Sequence, residues 1–301
     1  MSLNSNTDLW VVIPTFNRAS DLVSCIESLL KAGIDENRII IVDNHSVDDT
    51  VEQISQKYPR ASLFALEKNI GATGASNVGF DHARSQDAQL ILRLDSDTIV
   101  DEHFAEPLIT KALSSDCTGI VAPKIYYYDS PEEIWYAGAD MHPWHFGTIR
   151  GHRHEKDLPE NSLEREVDYA WGAAMLIKRE VLDQIGGFDT DFFVYHEEVD
   201  FCLRVKKSGY KILFNPQSHI WHKVGSSVNN AWTAYHWNRS KMLLYRKHAK
   251  NAFHLVALIL YAYAYALISQ VLKGKDGTRG PLRYALKGLW AGLREKINKK
   301  S

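Results

Sequence analysis

Short apolar runs alternate with stretches of helical apolar spacing over the first hundred residues. The runs predict buried strands at residues 9–14, 38–43, 61–66 and 90–94. Between them, apolar residues at helical spacing and helix-terminating signals predict helices at residues 20–33, 48–58 and 74–84. Strand–helix alternation is typical of a parallel sheet with helices on both faces, so the pattern predicts an α/β fold.

The alternation becomes less regular after residue 115. Strand-like segments at 119–129, 133–141 and 169–177 are followed by a predicted helix at 179–186. An acidic stretch, "FFVYHEEVDFCLRVKKSG", comes next. No internal repeat or low-complexity segment interrupts this half.

The pattern changes again near residue 240, which predicts a main domain over residues 1–240 and a helical segment over 241–301. The uncharged apolar run at 253–272 is near the ~20 residues that span a bilayer. Basic residues flank it on both sides, whereas a spanning helix favours one side. We therefore expect a helix that rests in one leaflet or docks on the main domain.

Residues 281–297 form a second tail pattern, a basic amphipathic helix. Its apolar stripe comprises Leu282, Leu286, Leu289, Trp290, Leu293 and Ile297. Basic side chains lie mostly off this stripe, which favours contact with an anionic membrane. The alternatives are a helix packed on the main domain and a helix that joins subunits of a homo-oligomer.

Charge is unevenly distributed along the 301 residues. The formal net charge of −2 does not suggest a nucleic-acid-binding protein. Residues 273–301 contain nine basic and two acidic residues, net +7, which leaves −9 for residues 1–272. A basic tail on an acidic body predicts an anionic surface as partner. Cys25, Cys117 and Cys202 lack metal or disulfide spacing, which favours a reducing compartment.

Two aspartates one residue apart, Asp95 and Asp97, follow the predicted strand at 90–94. Residues i and i+2 of an extended chain point to the same side. The carboxyl end of a strand is also where open α/β sheets bind ligands. The pair therefore predicts a ligand or metal site, and a solvated turn with Asp97 as a helix cap is the alternative.

Polar groups also follow the first two strands, in "IPTFNR" and "VDNHSVDDT". Asp43 could accept a hydrogen bond from a nucleobase N–H, or it could cap a turn, as Asp48 could equally. Gly71 and Gly74 in "NIGATGASNVG" would let the backbone approach a diphosphate at a helix N-terminus. A plain turn is the alternative there.

Six motifs together resemble glycosyltransferase family 2, closest to its rhamnosyltransferase-like branch. They are "PTFNR", "VDNHSVDDT", "NIGATGASNVG", "RLDSDT", "WGAAMLIKREVLDQIGGFDTDFFVYHEEVDFCLR" and "HKVGSS", spread over residues 9–245. The resemblance implies a GT-A fold, with a Rossmann-like nucleotide-binding sheet joined to an acceptor-binding half. The helical tail would lie outside this fold.

The resemblance also implies a donor site and a metal site. The expected nucleotide-sugar-binding residues are Pro14, Thr15, Phe16, Asn17, Arg18, Asp43, Asn69, Gly71, Gly74, Asn77, Asp95 and Ser96. Mn2+ or Mg2+ would be held by Asp95, Asp97 and His222, with hard oxygen ligands neutralising the diphosphate. Asp97 is the surer ligand, while Asp95 could instead hold the ribose. His219 competes with His222, which the "H-x-x-G-x-S" context favours.

The general base of the family is expected in "HEEVD". The predicted helix has an apolar stripe containing Val199, Cys202 and Leu203. Glu198 projects into this apolar arc and Glu197 into the polar arc, which makes Glu198 the predicted base and Glu197 the alternative. Glu stands here in place of the family's usual Asp. The resemblance places Trp171, Gly172 and Arg239 on the acceptor side.

The predicted function is inverting, metal-dependent transfer of a single sugar to a saccharide or lipid-linked acceptor in cell-surface polysaccharide synthesis. The expected donor is dTDP-rhamnose, with a UDP-hexose or galactofuranose donor as the alternative. A sugar nucleotidyltransferase would need a different loop after the first strand, and a non-catalytic glycan- or lipid-binding scaffold would not need the acidic residues. The tail predicts a peripheral enzyme at the cytoplasmic face of the inner membrane.

Overall fold

A computed structural model describes residues 8–149, 154–223, 230–272 and 282–297. Its strands are β1 (Leu9–Thr15), β2 (Ile39–Asp43), β3 (Ser62–Ala65), β4 (Leu90–Leu94), β5 (Thr98–Val100), β6 (Thr118–Tyr127), β7 (Glu133–Tyr136), β8 (Asp140–Met141), β9 (Thr148–Ile149), β10 (Glu155–Lys156), β11 (Arg165–Val167), β12 (Ala174–Lys178) and β13 (Lys211–His222). Its helices are α1 (Ala19–Lys31), α2 (Thr50–Lys57), α3 (Gly71–Ser85), α4 (Ala105–Leu113), α5 (Arg179–Ile185), α6 (Glu197–Lys207), α7 (Asn230–His248), α8 (Ala252–Leu272) and α9 (Leu282–Arg294).

The first four strands form the predicted parallel sheet, in the order β3-β2-β1-β4. Every residue of β2 and β4 is buried, because helices cover both faces. α3 lies very close to β1, since a side chain at Gly79 would come within 2.2 Å of the Val12 side chain. This packing fixes the carboxyl ends of β1, β2 and β4 at one edge, where the polar motifs lie.

Beyond β4 the sheet becomes mixed. β12 runs antiparallel to β4 and to β6, and β7 and β10 continue the sheet at the far edge. The predicted α/β class is therefore confirmed. The first half of the sheet is parallel, and the second half mixes parallel and antiparallel pairs.

The long strand β13 closes the second half of the sheet and was not predicted from the sequence. It runs parallel to β6, but its register shifts between Asn215 and His219. Pro216, inside this shift, has no N–H to donate to a ladder. The shift lets the first part of β13 pair with β11 and the last part pair with β5.

The predicted domain boundary after residue 240 falls inside α7, so no helix ends there. α7 packs closely against α9 because small residues line the contact. A side chain on Gly288 would lie 2.2 Å from the backbone oxygen of Tyr235, and one on Gly292 would lie 2.3 Å from that of Arg239. The boundary as a division between domains stays a prediction.

The stripe of α9 that was expected to face a membrane packs inward instead. Leu289 is fully buried in a cluster with Met242 and Tyr245 of α7 and Leu258 of α8. Only Trp290 of the six stripe residues is strongly exposed, at 54%. The stripe therefore packs on α7 and α8, mainly on residues that belong to the tail itself, and this burial removes its leucines from water.

α8 is docked along one face on the same cluster, through Leu258, Ala262 and Ala266. None of the helices in the described ranges is long and apolar enough to cross a bilayer.

Candidate active site

Asp95, Asp97 and His222 converge at the carboxyl end of β4. Their ligand atoms all lie within 4.8 Å of one another. Nε2 of His222 is 3.1 Å from Oδ1 of Asp97 and 4.0 Å from Oδ2 of Asp95. The pairing of β13 with β5 produces this contact, because it sets His222 opposite Thr98, the residue after Asp97. His219 lies three residues earlier in the same register and meets the Tyr126 ring edge-on at 5.7 Å instead.

The charges around Asp97 keep its carboxyl ionised. Burial acts to raise its pKa, but the hydrogen bond and charge of His222 and the charge of Arg18 outweigh burial and lower the pKa below its ordinary value. Nη1 of Arg18 is 3.6 Å from Oδ2 of Asp97. Two carboxylates and one imidazole, half-buried together, are a donor set that fits Mn2+ or Mg2+.

Asp43 lies beside Thr15 at the adjoining ends of β1 and β2. Oδ2 of Asp43 accepts a hydrogen bond from the backbone N–H of Ser46 at 2.8 Å, which is the predicted turn-capping role. Oδ1 of Asp43 is buried and has no hydrogen-bond partner among the described residues. One carboxylate oxygen therefore remains for a donor such as a nucleobase N–H.

The segment after β1 forms the wall of an open cavity. Asn17 adopts a positive φ of 52°, held by hydrogen bonds with Ser46 and Val47 of the loop after β2. An adjacent cavity of about 410 Å³ is lined by Asn17, Arg18, Asp48 and Asp49, among others. Pro14 pairs with Val42 one residue before the end of β1, and Phe16 just after β1 is 44% exposed. The sequence predicts nucleotide binding by these residues. Arg18 connects them to the triad through its contact with Asp97.

The glycine-rich turn before α3 is braced by two asparagines. Nδ2 of Asn44 donates to Oδ1 of Asn69 at 3.0 Å, and that oxygen also accepts from the N–H of Gly71 at 2.9 Å. A side chain on Gly71 would lie 2.2 Å from the backbone oxygen of Phe193, and one on Gly74 would meet Ile70 at 2.8 Å. Both glycines thus allow close packing within the protein, and the diphosphate contact stays a prediction.

Asn77 has contacts that differ from its predicted role in nucleotide binding. Its side-chain nitrogen donates to the backbone oxygen of Phe188 at 2.7 Å, and its side-chain oxygen accepts from the N–H of Phe188 at 2.8 Å. The amide is therefore paired across its full edge with the loop after α5. Asn77 ties α3 to the loop that leads into α6.

Arg93 connects the aspartates to Gly172, which the sequence predicts on the acceptor side. It is 4% exposed inside the apolar strand β4, and its Nη1 lies 2.5 Å from Oδ1 of Asp95. The same nitrogen donates to the backbone oxygen of Gly172. Ser96, between the aspartates, is also buried. Burying this charge would cost several kcal/mol if it were unpaired, and the contact with Asp95 pairs it.

The two candidate bases begin α6 and occupy different surroundings. Oε1 of Glu198 accepts a hydrogen bond from the Tyr169 hydroxyl at 2.8 Å, and Glu198 lies against Gly172. Burial raises the pKa of Glu198, although Tyr169 and Arg93 oppose the shift. Burial and the charge of Glu198 raise the pKa of Glu197 well above its ordinary value. Glu197 is 8% exposed, so the polar arc predicted for it is not a solvated face.

α7 covers that polar arc of α6. His248 pairs with Asp200 at 2.8 Å, and Lys247 lies 2.9 Å from Asp191 in the preceding loop. Tyr195 and His196, just before Glu197, both have a φ of 65°, a strained conformation for residues with side chains. The His196 ring packs 4.4 Å from that of Trp237 on α7. α7 thus holds the strained turn that positions both glutamates.

Aromatic rings form a row from the acceptor side to the triad. Trp171 meets Trp135 edge-on at 4.1 Å, and Trp135 lies 5.2 Å from the ring of His222. Trp232 and Trp237 of α7 lie beside the strained turn at Tyr195 and His196 and are 42% and 39% exposed. Half-exposed aromatic faces suit the C–H faces of sugars.

Arg239 was predicted on the acceptor side, and its Nη2 binds the backbone oxygen of Asp191 at 3.0 Å and the carboxylate of Glu295. Its guanidinium therefore joins the loop before α6 to the end of the tail.

Sequence reasoning missed Arg93, Tyr169 and Trp135. Only Arg93 had a local signal, a charge within the apolar run "LILRL". Tyr169 and Trp135 look like ordinary core aromatics, since Tyr169 is 2% and Trp135 is 4% exposed. Their contacts with Glu198 and His222 depend on pairings between distant segments.

Comparison with known families gives one match over more than half of the chain. The family described as "Glycosyl transferase family 2" matches residues 10–186. This range contains the aspartate pair and the strands before it.

Relatives of the chain are distant. An N-acetylglucosaminyl-diphospho-decaprenol L-rhamnosyltransferase of Mycobacterium tuberculosis is 24% identical over 72% of this chain and 76% of its own length. The dTDP-rhamnosyl transferase RfbF of Shigella flexneri is 19% identical over 80% of this chain and 81% of its own length. The uncharacterized protein y4gI of Sinorhizobium fredii is 26% identical over 72% of this chain, which spans 24% of that protein.

Two solved structures share the fold. GalNAc-T7 with UDP, GalNAc and Mn2+ superposes with a TM-score of 0.63 and 17% identity, over 95% of this chain and 54% of that one. The mannosyltransferase PcManGT of Pyrobaculum calidifontis, with GDP-Man and Mn2+, has a TM-score of 0.57 and 16% identity, over 98% and 88%. These similarities confirm the predicted GT-A fold.

Proposed function

Because the chain belongs to glycosyl transferase family 2 and is a glycosyltransferase, we propose that it transfers rhamnose from dTDP-rhamnose to a saccharide or lipid-linked saccharide, with inversion. The observation that carries this proposal is the position of Glu198. Its carboxylate is oriented by Tyr169 and lies against Gly172, whose backbone oxygen is bonded through Arg93 to Asp95 of the triad.

Glu198 is the general base of this proposal. Its raised pKa makes it a stronger base than an exposed carboxylate, and its ionised form takes the proton of an acceptor hydroxyl. That hydroxyl oxygen attacks the anomeric carbon in line as the bond to the diphosphate breaks, so one displacement inverts the configuration. The negative charge leaves with the diphosphate, and Arg18 lies on that side.

Asp95, Asp97 and His222 would hold Mn2+ or Mg2+. Such an ion supplies positive charge that stabilises the departing diphosphate. Asp97 contributes an ionised oxygen, and the His222 contact orients that carboxylate. The Mn2+ in the two similar structures supports this part of the proposal.

The choice of dTDP-rhamnose is supported by two relatives whose names contain rhamnosyl transfer. The free oxygen of Asp43 suits the N–H of a pyrimidine base, which thymine and uracil share. A UDP-hexose or UDP-galactofuranose is therefore the alternative donor.

The acceptor side comprises Trp171 and Gly172, with Arg239 fixing the loop before α6. Trp232 and Trp237 extend this side along α7, where their exposed faces offer apolar contact to a second sugar ring. A saccharide of more than one ring, free or carried on a lipid diphosphate, fits this arrangement.

The test is a screen of nucleotide sugars with purified full-length protein. Thermal shifts are measured in Mn2+ with dTDP-rhamnose, UDP-hexoses, UDP-galactofuranose and GDP-mannose, followed by product analysis. We expect the largest stabilisation, and transfer with inverted configuration, with dTDP-rhamnose. A GDP-sugar as the sole accepted donor would contradict the proposal, and so would full activity in EDTA.

A further inference from the structure

One face of α8 exposes an apolar surface that no other described part of the chain covers. Of the sixteen large apolar side chains exposed in the described ranges, six lie on α8: Phe253, Val256, Leu260, Tyr265, Leu267 and Ile268. Phe253, at 84% exposure, and Leu260, at 65%, are the most open of them. Their spacing of three, four and seven residues puts Phe253, Val256, Leu260 and Leu267 on one side of the helix.

The opposite face of α8 is firmly attached to the protein. Leu258, Ala262 and Ala266 are buried against α7 and α9. His254 is also buried, and its Nε2 lies 2.8 Å from the backbone oxygen of Trp144. The exposed row is therefore the outer side of a docked helix and not the result of a detached segment.

α9, which packs against α8 and α7, presents a basic outer face. Arg283, Lys287 and Arg294 are exposed at helical spacing, and Trp290 lies among them at 54% exposure. The Arg294 guanidinium stacks 5.0 Å from the Trp290 ring. α8 and α9 contain no acidic residue, and Glu295 just beyond α9 is paired with Arg239.

We propose that the outer faces of α8 and α9 form a docking surface for an anionic bilayer, defined by Phe253, Val256, Leu260, Leu267, Arg283, Lys287, Trp290 and Arg294. The apolar row of α8 would enter the boundary between headgroups and acyl chains. The basic row of α9 would contact lipid phosphates, and Trp290 suits the interface between them.

Charge distinguishes this occupant from a second copy of the chain. Two copies that met through the α9 face would bring basic side chains against each other, which destabilises an interface. An anionic leaflet instead attracts basic residues, and each one near its surface strengthens the binding constant by about fivefold. The inner leaflet facing the cytoplasm is anionic, so this surface gives the predicted peripheral location a structural basis. The sequence predicts membrane contact through α9. In this proposal the apolar contact with the bilayer is made by α8, and α9 contributes the basic residues.

α7 also connects the docking surface to the strained turn at Tyr195 and His196, just before the two glutamates. α7 packs against α9 from Tyr235 to Met242 and shares a buried cluster with α8, and its Trp237 packs against His196 in the strained turn. Bilayer docking would therefore fix the orientation of the acceptor side relative to lipid headgroups. This part rests on the proposed function, whereas binding to vesicles does not.

The test measures cosedimentation of the full-length protein with phosphatidylcholine vesicles, with and without phosphatidylglycerol, in the absence of donor and acceptor. Wild-type protein should bind the anionic vesicles at low salt and release as salt rises. Leu260→Glu should weaken binding at least about tenfold, because it removes one apolar side chain that the bilayer would bury. Leu113→Glu on α4 is the matched control, since Leu113 is 63% exposed, and it should bind as wild type.

A triple variant, Arg283→Gln with Lys287→Gln and Arg294→Gln, tests the basic row. It should lose roughly a hundredfold in affinity for anionic vesicles, at about fivefold per charge, and little for neutral ones. Circular dichroism and transfer to a soluble acceptor should be unchanged in all of these variants. This separates loss of docking from failure of the proposed sugar transfer.

Two results would overturn the proposal. One is wild-type protein that stays off anionic vesicles at low salt. The other is a dimer seen by light scattering without lipid, which Leu260→Glu converts to monomers, together with no vesicle binding by either wild type or variant. That result would assign the face to a second copy of the chain.

Discussion

The hydroxyl of Tyr169 donates a hydrogen bond to Oε1 of Glu198 over 2.8 Å, and it does so from a fixed position. Tyr169 is almost fully buried, and its backbone oxygen accepts a hydrogen bond from Tyr136 at 2.5 Å. The donor is therefore held on both the main chain and the side chain. This arrangement selects one rotamer of Glu198 and stabilises its ionised form.

Replacing Glu198 should separate chemistry from binding. Glu198→Gln keeps the size and the hydrogen bond but removes the proton acceptor, so turnover should fall by about 10²–10⁴-fold. Donor affinity, measured by calorimetry, should remain near wild type. Glu197→Gln is the control, and loss of turnover in that variant alone would make Glu197 the base.

Tyr169→Phe should change the pH dependence of turnover. The base acts in its ionised form, so turnover rises with pH through the pKa of Glu198, which burial already raises. The Tyr169 hydrogen bond lowers that pKa, so its removal should move the rising limb of the turnover profile to higher pH. A lower turnover with an unmoved limb would show that Tyr169 acts on packing alone.

Asp97→Asn should abolish the metal dependence of donor binding. The change keeps the shape and removes the charge, and the lost stabilisation of the diphosphate should cost on the order of a thousandfold in turnover. Titration of Mn2+ in the presence of dTDP, followed by calorimetry, gives a readout independent of turnover. Asp81→Asn at an exposed site is the control. Unchanged Mn2+ binding in Asp97→Asn would contradict the proposed triad.

Trp232→Ala should weaken acceptor binding. Removal of one aromatic face should raise the KM for a saccharide acceptor by about two- to tenfold, at roughly 0.5–1.5 kcal/mol for the aromatic contact. Octyl N-acetylglucosaminide, a saccharide on an alkyl chain, serves as the probe. Trp144→Ala provides the comparison, because Trp144 is 39% exposed at a different surface. An equal rise in both variants would remove Trp232 from the acceptor side.

Gly288→Ala should destabilise the protein although alanine favours helix. The propensity gain is about 0.5–1 kcal/mol, while a methyl 2.2 Å from the Tyr235 oxygen must push α9 from α7 at a cost of about 1–3 kcal/mol. Urea unfolding should show a lower free energy of unfolding. Lys287→Ala, on the exposed side of α9, should change it by less than about 0.5 kcal/mol. A stabilised Gly288→Ala would mean that the two helices separate easily.

The central strands and their helices were predictable because their signals are local. The runs at β1, β2 and β4 are mainly apolar, and α6 forms in the segment whose apolar spacing predicts a helix. β13 was missed because Pro216 and polar residues interrupt its pattern. Its partners, β5 and β6, lie about a hundred residues earlier, and pairing over that distance leaves no local signal.

The triad was predicted as a set because Asp95 and Asp97 lie in the motif "RLDSDT" and His222 begins the "H-x-x-G-x-S" motif. Its geometry, with His222 opposite Thr98, follows only from the β13 register. The helix projection gave the relative faces of Glu197 and Glu198, but it did not include α7. A polar arc covered by another helix is buried, so sequence periodicity alone misjudged the solvation of Glu197.

The long separation of the triad's members also affects how the enzyme is made. Asp97 and His222 are 125 positions apart, and they meet only when the end of β13 pairs with β5. The strands β1 to β4 end by residue 94, so the nucleotide-binding half can form while the ribosome is still adding the rest. The nascent chain gains all three residues of the proposed metal site only after β13 has emerged. Synthesis itself therefore delays catalysis until most of the polypeptide is complete.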